Sequence, residues 1–256
     1  MTTNLSFDGG WRATVTGDPL SVTPRFTGNS VLLAEYTDAK ERERFVADTF
    51  GSEHWLWDMP DVLRFDPDGR ELVGAEFQMP YVSAYAEISD RVPALPAVRP
   101  GGLRADEVRD FRHEMCTVLY RAPGDAELVS LRDAGVLDDP PDARVGIARD
   151  VALLVRRGTV VGWSITDPAR YLTTVHAAPD PAPPSAATRR LLTECLDLIT
   201  EPVADDVRDG EPAAVARLRA ADEALRGRHE DRHRADTLLT VIGDLMEDYG
   251  GSAPRP

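Results

Sequence analysis

The stretch that most restricts how this chain can fold is Asp61–Tyr81, DVLRFDPDGRELVGAEFQMPY. Two apolar runs flank Asp66-Pro67-Asp68-Gly69: the proline presets a turn φ, an aspartate bonds back to its own backbone, and the glycine accepts φ > 0. Beyond the turn, Val73, Ala75, Phe77 and Met79 alternate with Leu72, Gly74, Glu76 and Gln78, the period-2 pattern of a half-buried strand. The stretch predicts a β-hairpin, and with it a sheet around which the rest is organised.

A second hairpin is expected within Val145–Asp167. There Val151, Leu153 and Val155 alternate with Ala152 and Leu154, so both faces are apolar, as in an interior strand. The two hairpins are expected in one antiparallel sheet. Setting Gly162 on Gly74 brings Val160, Val161 and Ile165 onto Leu72, Val73 and Phe77, and Pro168 onto Pro80. A duplicated unit, roughly 30–91 and 103–176, is one explanation of the match. Chemistry common to any two hairpins is the other, and on sequence alone it is preferred.

Short strands are expected between residues 11 and 34, with Ser30–Tyr36 the clearest. Thr37 or Asp38 should cap a helix over Ala39–Phe50 that Gly51 stops. A further helix is predicted from Asp106, with Val108, Phe111, Met115 and Leu119 as its stripe, and a shorter one between Asp125 and Gly135. Val92–Gly102 is a Pro/Gly break and a candidate sub-boundary. Ala177–Ala187 reads as a Pro/Ala linker stiffened toward polyproline geometry. It separates an α+β domain (1–176) from a helical region (188–250) with helices over Thr188–Glu201, Glu211–Arg226 and Ala235–Tyr249, and a frayed tail (251–256). The predicted class is α+β: an antiparallel sheet of β-hairpins with packed helices, followed by a helical C-terminal region.

Charge narrows the function. The 256 residues carry a net charge of −15, and of 29 basic residues only Lys40 is a lysine, leaving 29 − 1 = 28 arginines. That bias points to a GC-rich, bacterial coding sequence. Arginines interleaved with Asp and Glu do not make the clustered cations that phosphate neutralisation needs, which argues against nucleic acid. An acidic surface suits a basic partner, a protein or a cationic peptide. Met1–Gly10 lacks the charged and apolar regions of a signal peptide, and no run reaches the length of a membrane span. Cys116 and Cys195 fit no ligand or redox spacing. A soluble, cytoplasmic protein with reduced thiols is expected, its oligomeric state left open.

Three constellations could carry chemistry. His229-Glu230-Asp231-Arg232-His233 matches H-E-x-x-H, which on a helix stacks two imidazoles to share a Zn²⁺ while the glutamate activates water. Here the stretch is polar on every side, and Asp236 lies seven residues from His229, about 10 Å along a helix axis. A solvated charged segment is the preferred reading. A metal-dependent hydrolase with His229 and His233 as ligands and Glu230 as base is the alternative. Trp55, Trp57, Tyr81 and Tyr85 cluster at hairpin ends, where loops display aromatic side chains to partners. They are the expected binding residues. His113 and Cys116, three apart on an expected helix, read as a buried, inert thiol beside its neighbour.

A single lysine outside any glycine loop excludes a P-loop, and there is no G-x-G-x-x-G, G-x-S-x-G or C-x-x-C. No cofactor and no catalytic residue is assigned. The expectation is a non-enzymatic, immunity- or accessory-type protein that binds a protein partner through an acidic, aromatic-containing surface.

Overall fold

The protein is described by a computed structural model, which covers residues 4–52, 60–81 and 95–249. It has an α+β fold. The chain opens with β1 (Asn4–Ser6) and β2 (Arg12–Val15), then enters a small sheet through β3 (Arg25–Phe26), β4 (Ser30–Leu33), helix α1 (Ala39–Ala47), β5 (Phe50–Gly51), β6 (Val62–Phe65) and β7 (Leu72–Gln78). It returns to a larger sheet as β8 (Val98–Pro100), β9 (Leu103–Ala105), β10 (Val118–Arg121), β11 (Glu127–Leu131) and the meander β12 (Ala143–Ala148), β13 (Val151–Arg156) and β14 (Thr159–Thr166). Four helices close the described chain: α2 (Ala186–Ile199), α3 (Val203–Arg208), α4 (Pro212–Arg226) and α5 (Arg232–Tyr249).

Both predicted hairpins form, β6–β7 and β13–β14, but in two different sheets rather than one. The small sheet runs β3-β4-β7-β6-β5. The large one runs β8-β12-β13-β14-β1-β2-β9, with β11 also on β14 and β10 on β11. Inner-face residues of both sheets, among them Val31, Leu63, Phe65 and Phe77 from one and Leu128, Leu153, Trp163 and Ile165 from the other, share a single core. Phe77 stacks on Trp163 across it, with ring centroids 5.4 Å apart.

Within this arrangement one strand pattern occurs twice. Taken in chain order, β3 to β7 lie as first-second-fifth-fourth-third, all antiparallel, and so do β10 to β14. The register agrees as well. Arg64 opposes Gly74 and Phe65 opposes Leu72, leaving Val73 over; Leu154 opposes Gly162 and Val155 opposes Val160, leaving Val161 over. On the other flank Leu33 pairs with Ala75, and Ser130 pairs with Trp163. Gly162 thus does sit on Gly74, and the likeness extends over five strands rather than one hairpin.

Two expected helices are absent. Residues 106–117 contain no helix, and Leu119 belongs to β10. Phe111 stacks on Trp11 with centroids 3.9 Å apart and gives its backbone N–H to Gly51 O, so a distant sheet edge captures the segment. Asp125 opens no helix either: it takes a positive φ in the β10–β11 turn, and β11 follows. Around α1 the local signals hold. Asp38 accepts from Glu41 N at 2.8 Å while Glu41 accepts from Thr37 N at 2.7 Å, a reciprocal cap. The helix ends before Phe50, which enters β5.

Apolar faces of α2, α4 and α5 (Leu192, Leu196, Leu218, Leu225, Leu238 and Ile242) join the sheet core. The 229–233 segment is exposed at His229, Glu230, Arg232 and His233, as expected, but is anchored through Asp231 and the adjoining Arg234. Arg234 is 1% exposed; it pairs with Asp231 at 2.8 Å and donates to Asp180 O and Ala182 O at 3.0 and 2.6 Å. Asp231 also accepts from Ser185 N at 2.7 Å and from Thr188 Oγ1 at 2.6 Å. Burial alone would raise its pKa; these hydrogen bonds and the guanidinium bring it down to about 2. One buried ion pair therefore ties the 180–188 segment to the start of α5. No helix among the described residues is long and apolar enough to cross a membrane.

Candidate functional site

Among the described residues, two places gather chemistry, one open and one closed. The open one begins at Pro24. Having no N–H, proline cannot carry a ladder onward, and the pairing of β3 with β4 stops at Arg25 opposite Leu32. Among the described residues no backbone hydrogen bond joins 21–24 to 34–36. The two segments diverge, and Arg25 spans the base of the gap, donating to Tyr36 O and to Val175 O at 2.7 Å each. Helix α1 forms one wall, and the result is a groove of about 590 Å³. Its floor includes Val22, Tyr36, Phe45 and Val73, and its rim carries Glu35, Glu41, Asp48 and Arg44. A smaller pocket of about 430 Å³ adjoins it, lined by Thr23, Ala34, Ala178 and Pro179. Glu35 and Asp48 are exposed and form no ion pair among the described residues.

The closed place lies between the sheets. Asp61 is 1% exposed, its Oδ1 accepts from Gln78 N at 2.8 Å, and the Cys116 thiol approaches Oδ2 at 3.7 Å. The Trp163 indole faces the same carboxyl without closing a hydrogen bond. Burial pushes the Asp61 pKa up to about 7, against the opposing pull of the Gln78 N–H and Arg132. Burial, reinforced by Asp61, pushes the Cys116 thiol well above its ordinary value, so it is a thiol and not a thiolate.

Alongside, Asp8 meets His113 Nδ1 at 2.9 Å, Glu114 N at 2.9 Å and Arg132 at 2.9 Å. Burial opposes ionisation of Asp8, but those donors hold it below the usual carboxylate range. Burial lowers the His113 pKa, leaving a neutral ring whose Nδ1–H donates to the ionised carboxylate. Each group is consumed by its neighbour. Among the described residues no hydrogen bond joins His113 to Cys116, so the two do not form a nucleophile and base; each goes to its own carboxylate.

Of the expected binding residues, Trp55, Trp57 and Tyr85 lie outside the described residues. Tyr81 is 42% exposed, and its carbonyl accepts from Glu201 N at 2.8 Å. It follows the C-terminal end of β7, whereas Val73 and the groove lie at the other end. His229 and Glu230 precede α5 in the turn, and His233 is in its first turn; both imidazoles are exposed. The histidines therefore do not stand one helical turn apart, and the geometry of the hydrolase alternative is not formed. No group of three or more potential metal ligands occurs among the described residues.

Sequence reading missed the groove, although Pro24 in a stretch that otherwise alternates apolar Leu20, Val22 and Phe26 with polar Ser21, Thr23 and Arg25 was a usable signal. It also missed the partners of Asp61 and Asp8, for which no local signal exists. Comparison with protein-family models, with curated proteins and with solved structures finds no match to this chain.

Proposed function

We propose that this is a non-enzymatic interaction protein that binds a basic protein partner through its acidic surface. The observation that carries the reading is the contrast between the closed interior and the open groove. The reactive groups of the interior are engaged with one another, whereas the groove beside α1 is open, apolar in its floor and acidic at its rim. Recognition surfaces combine such an apolar centre with a charged rim. A net charge of −15 steers cationic partners toward it. Exposed Tyr81, with Trp55, Trp57 and Tyr85, is a second candidate contact in the same reading.

The test is affinity capture from a bacterial lysate with the full chain, followed by binding kinetics on the purified partner. Association should slow as salt shortens the Debye length, and Tyr81→Ala or Trp57→Ala should speed dissociation with the melting temperature unchanged. Salt-independent association by an acidic partner would count against the reading.

A further inference from the structure

The repeated strand pattern says what the groove lacks. Cross-strand registers align Arg25 with Tyr120, since these pair with Leu32 and Val129, which themselves pair with Glu76 and Ser164. Pro24 therefore corresponds to Leu119, Thr23 to Val118 and Val22 to Thr117. In the second array the ladder runs on: Leu119 pairs with Ser130, Val118 with Leu131, and Thr117 N donates to Leu131 O at 2.9 Å. In the first array Pro24 stops it, and the corresponding mouth stays open. The outer faces differ at the bulge position. Val161 is 4% exposed in a cluster with Val129, Leu131, Val136 and Leu154, and Leu95 packs against that cluster just ahead of β8. Val73, at the matching position, is half-buried and lines the groove. A chain segment thus lies on the second face; on the first, Phe45 of α1 and Val175 pack on Leu32 and Ala34, the counterparts of Val129 and Leu131, and among the described residues Val73 is left half-buried beside them.

We propose that the groove beside α1 receives an extended segment of a partner polypeptide, laid between Ser21–Thr23 and Ala34–Tyr36, carrying apolar side chains and at least one lysine or arginine. The diverging backbones offer main-chain hydrogen bonds of the kind used in strand addition. Val22, Phe45 and Val73 offer an apolar floor. Glu35 and Asp48 offer the charge complement, whereas Arg25 is already held by two carbonyls. The inference rests on the interaction reading above and names its ligand chemistry.

The test is selection of a displayed library of random twelve-residue peptides on the full chain, with affinities measured on synthetic copies of the enriched sequences. Enriched peptides should combine apolar residues with a lysine or arginine. They should lose about tenfold or more in affinity to Glu35→Arg/Asp48→Arg, whose exposed side chains leave the melting temperature unchanged. Bound peptide should slow amide hydrogen exchange at 21–23 and 34–36. No enrichment over a protein-free control, enriched peptides without cations, equal affinity for the charge-reversed variant, or protection elsewhere would each overturn the proposal. A captured partner that loses binding with Tyr81→Ala but not with Glu35→Arg/Asp48→Arg would leave the interaction reading standing and remove the groove from it.

Discussion

Val73 and Val161 hold the same position in two copies of one strand pattern: each is the residue without a partner across its hairpin, next to a glycine that has one. Such a bulge bends the strand and adds local twist, and here it does so at matching points of both sheets. A Cβ on Gly74 would stand 2.9 Å from Leu33 O, and one on Gly162 only 2.1 Å from Ser130 O, the carbonyls of corresponding neighbours. The glycines serve close backbone approach at the bulge, not turn flexibility.

Gly162→Ala is therefore expected to destabilise the protein strongly, by about 3 kcal/mol, since the obstructing atom is backbone and cannot rotate away. Gly74→Ala meets the Phe45 ring as well, but α1 has no buried residue and can shift outward more readily. It should cost less. Urea unfolding of the two variants checks the order, and equal midpoints would contradict it.

Asp61 should make stability fall with rising pH. Its folded pKa, about 7, lies above the ordinary carboxylate value of 3.8, so the folded protein holds a proton that the unfolded chain gives up. The contribution is full below about pH 4 and is lost as pH rises through 7. Asp61→Asn retains an acceptor for Gln78 N and removes the titration. Its stability relative to wild type should rise between pH 5 and 8, read as the difference in urea midpoint. Taking the difference cancels the opposite contribution of His113, whose lowered pKa makes acid destabilising.

Arg234→Leu should cost about 3 kcal/mol, because it removes the cation beside Asp231 and the donor to the Asp180 and Ala182 carbonyls at once. The loss should show as faster hydrogen exchange in the first turns of α5 and over 180–188. A variant as stable as wild type would mean that the pair contributes nothing beyond its own desolvation.

His229→Ala/His233→Ala should leave the melting temperature unchanged, since both rings are exposed and one precedes the helix. Equimolar zinc should shift neither protein. A zinc-dependent rise seen only in wild type would restore the hydrolase alternative.

Features set by neighbours along the chain are legible in the sequence itself. The Asp66–Gly69 turn and the alternation beyond it specify β6–β7 because a turn and a period-2 face need only local residues. The Asp38 cap and the apolar stripes of α2, α4 and α5 follow for the same reason. What pairs with what is not legible there. Val108, Phe111, Met115 and Leu119 have helical spacing, yet Phe111 joins Gly51 and Leu119 joins Ser130. Arg234 stands in a run polar on every side, yet is buried by carbonyls more than 50 residues away. Asp8 reaches His113 across a separation of 105 residues. The groove needs Pro24, the β4 extension and α1 to come together. Sequence by itself determined where the chain turns and which faces are apolar; only the tertiary structure decided which edge each strand found, because that choice rests on long-range pairing that no local pattern encodes.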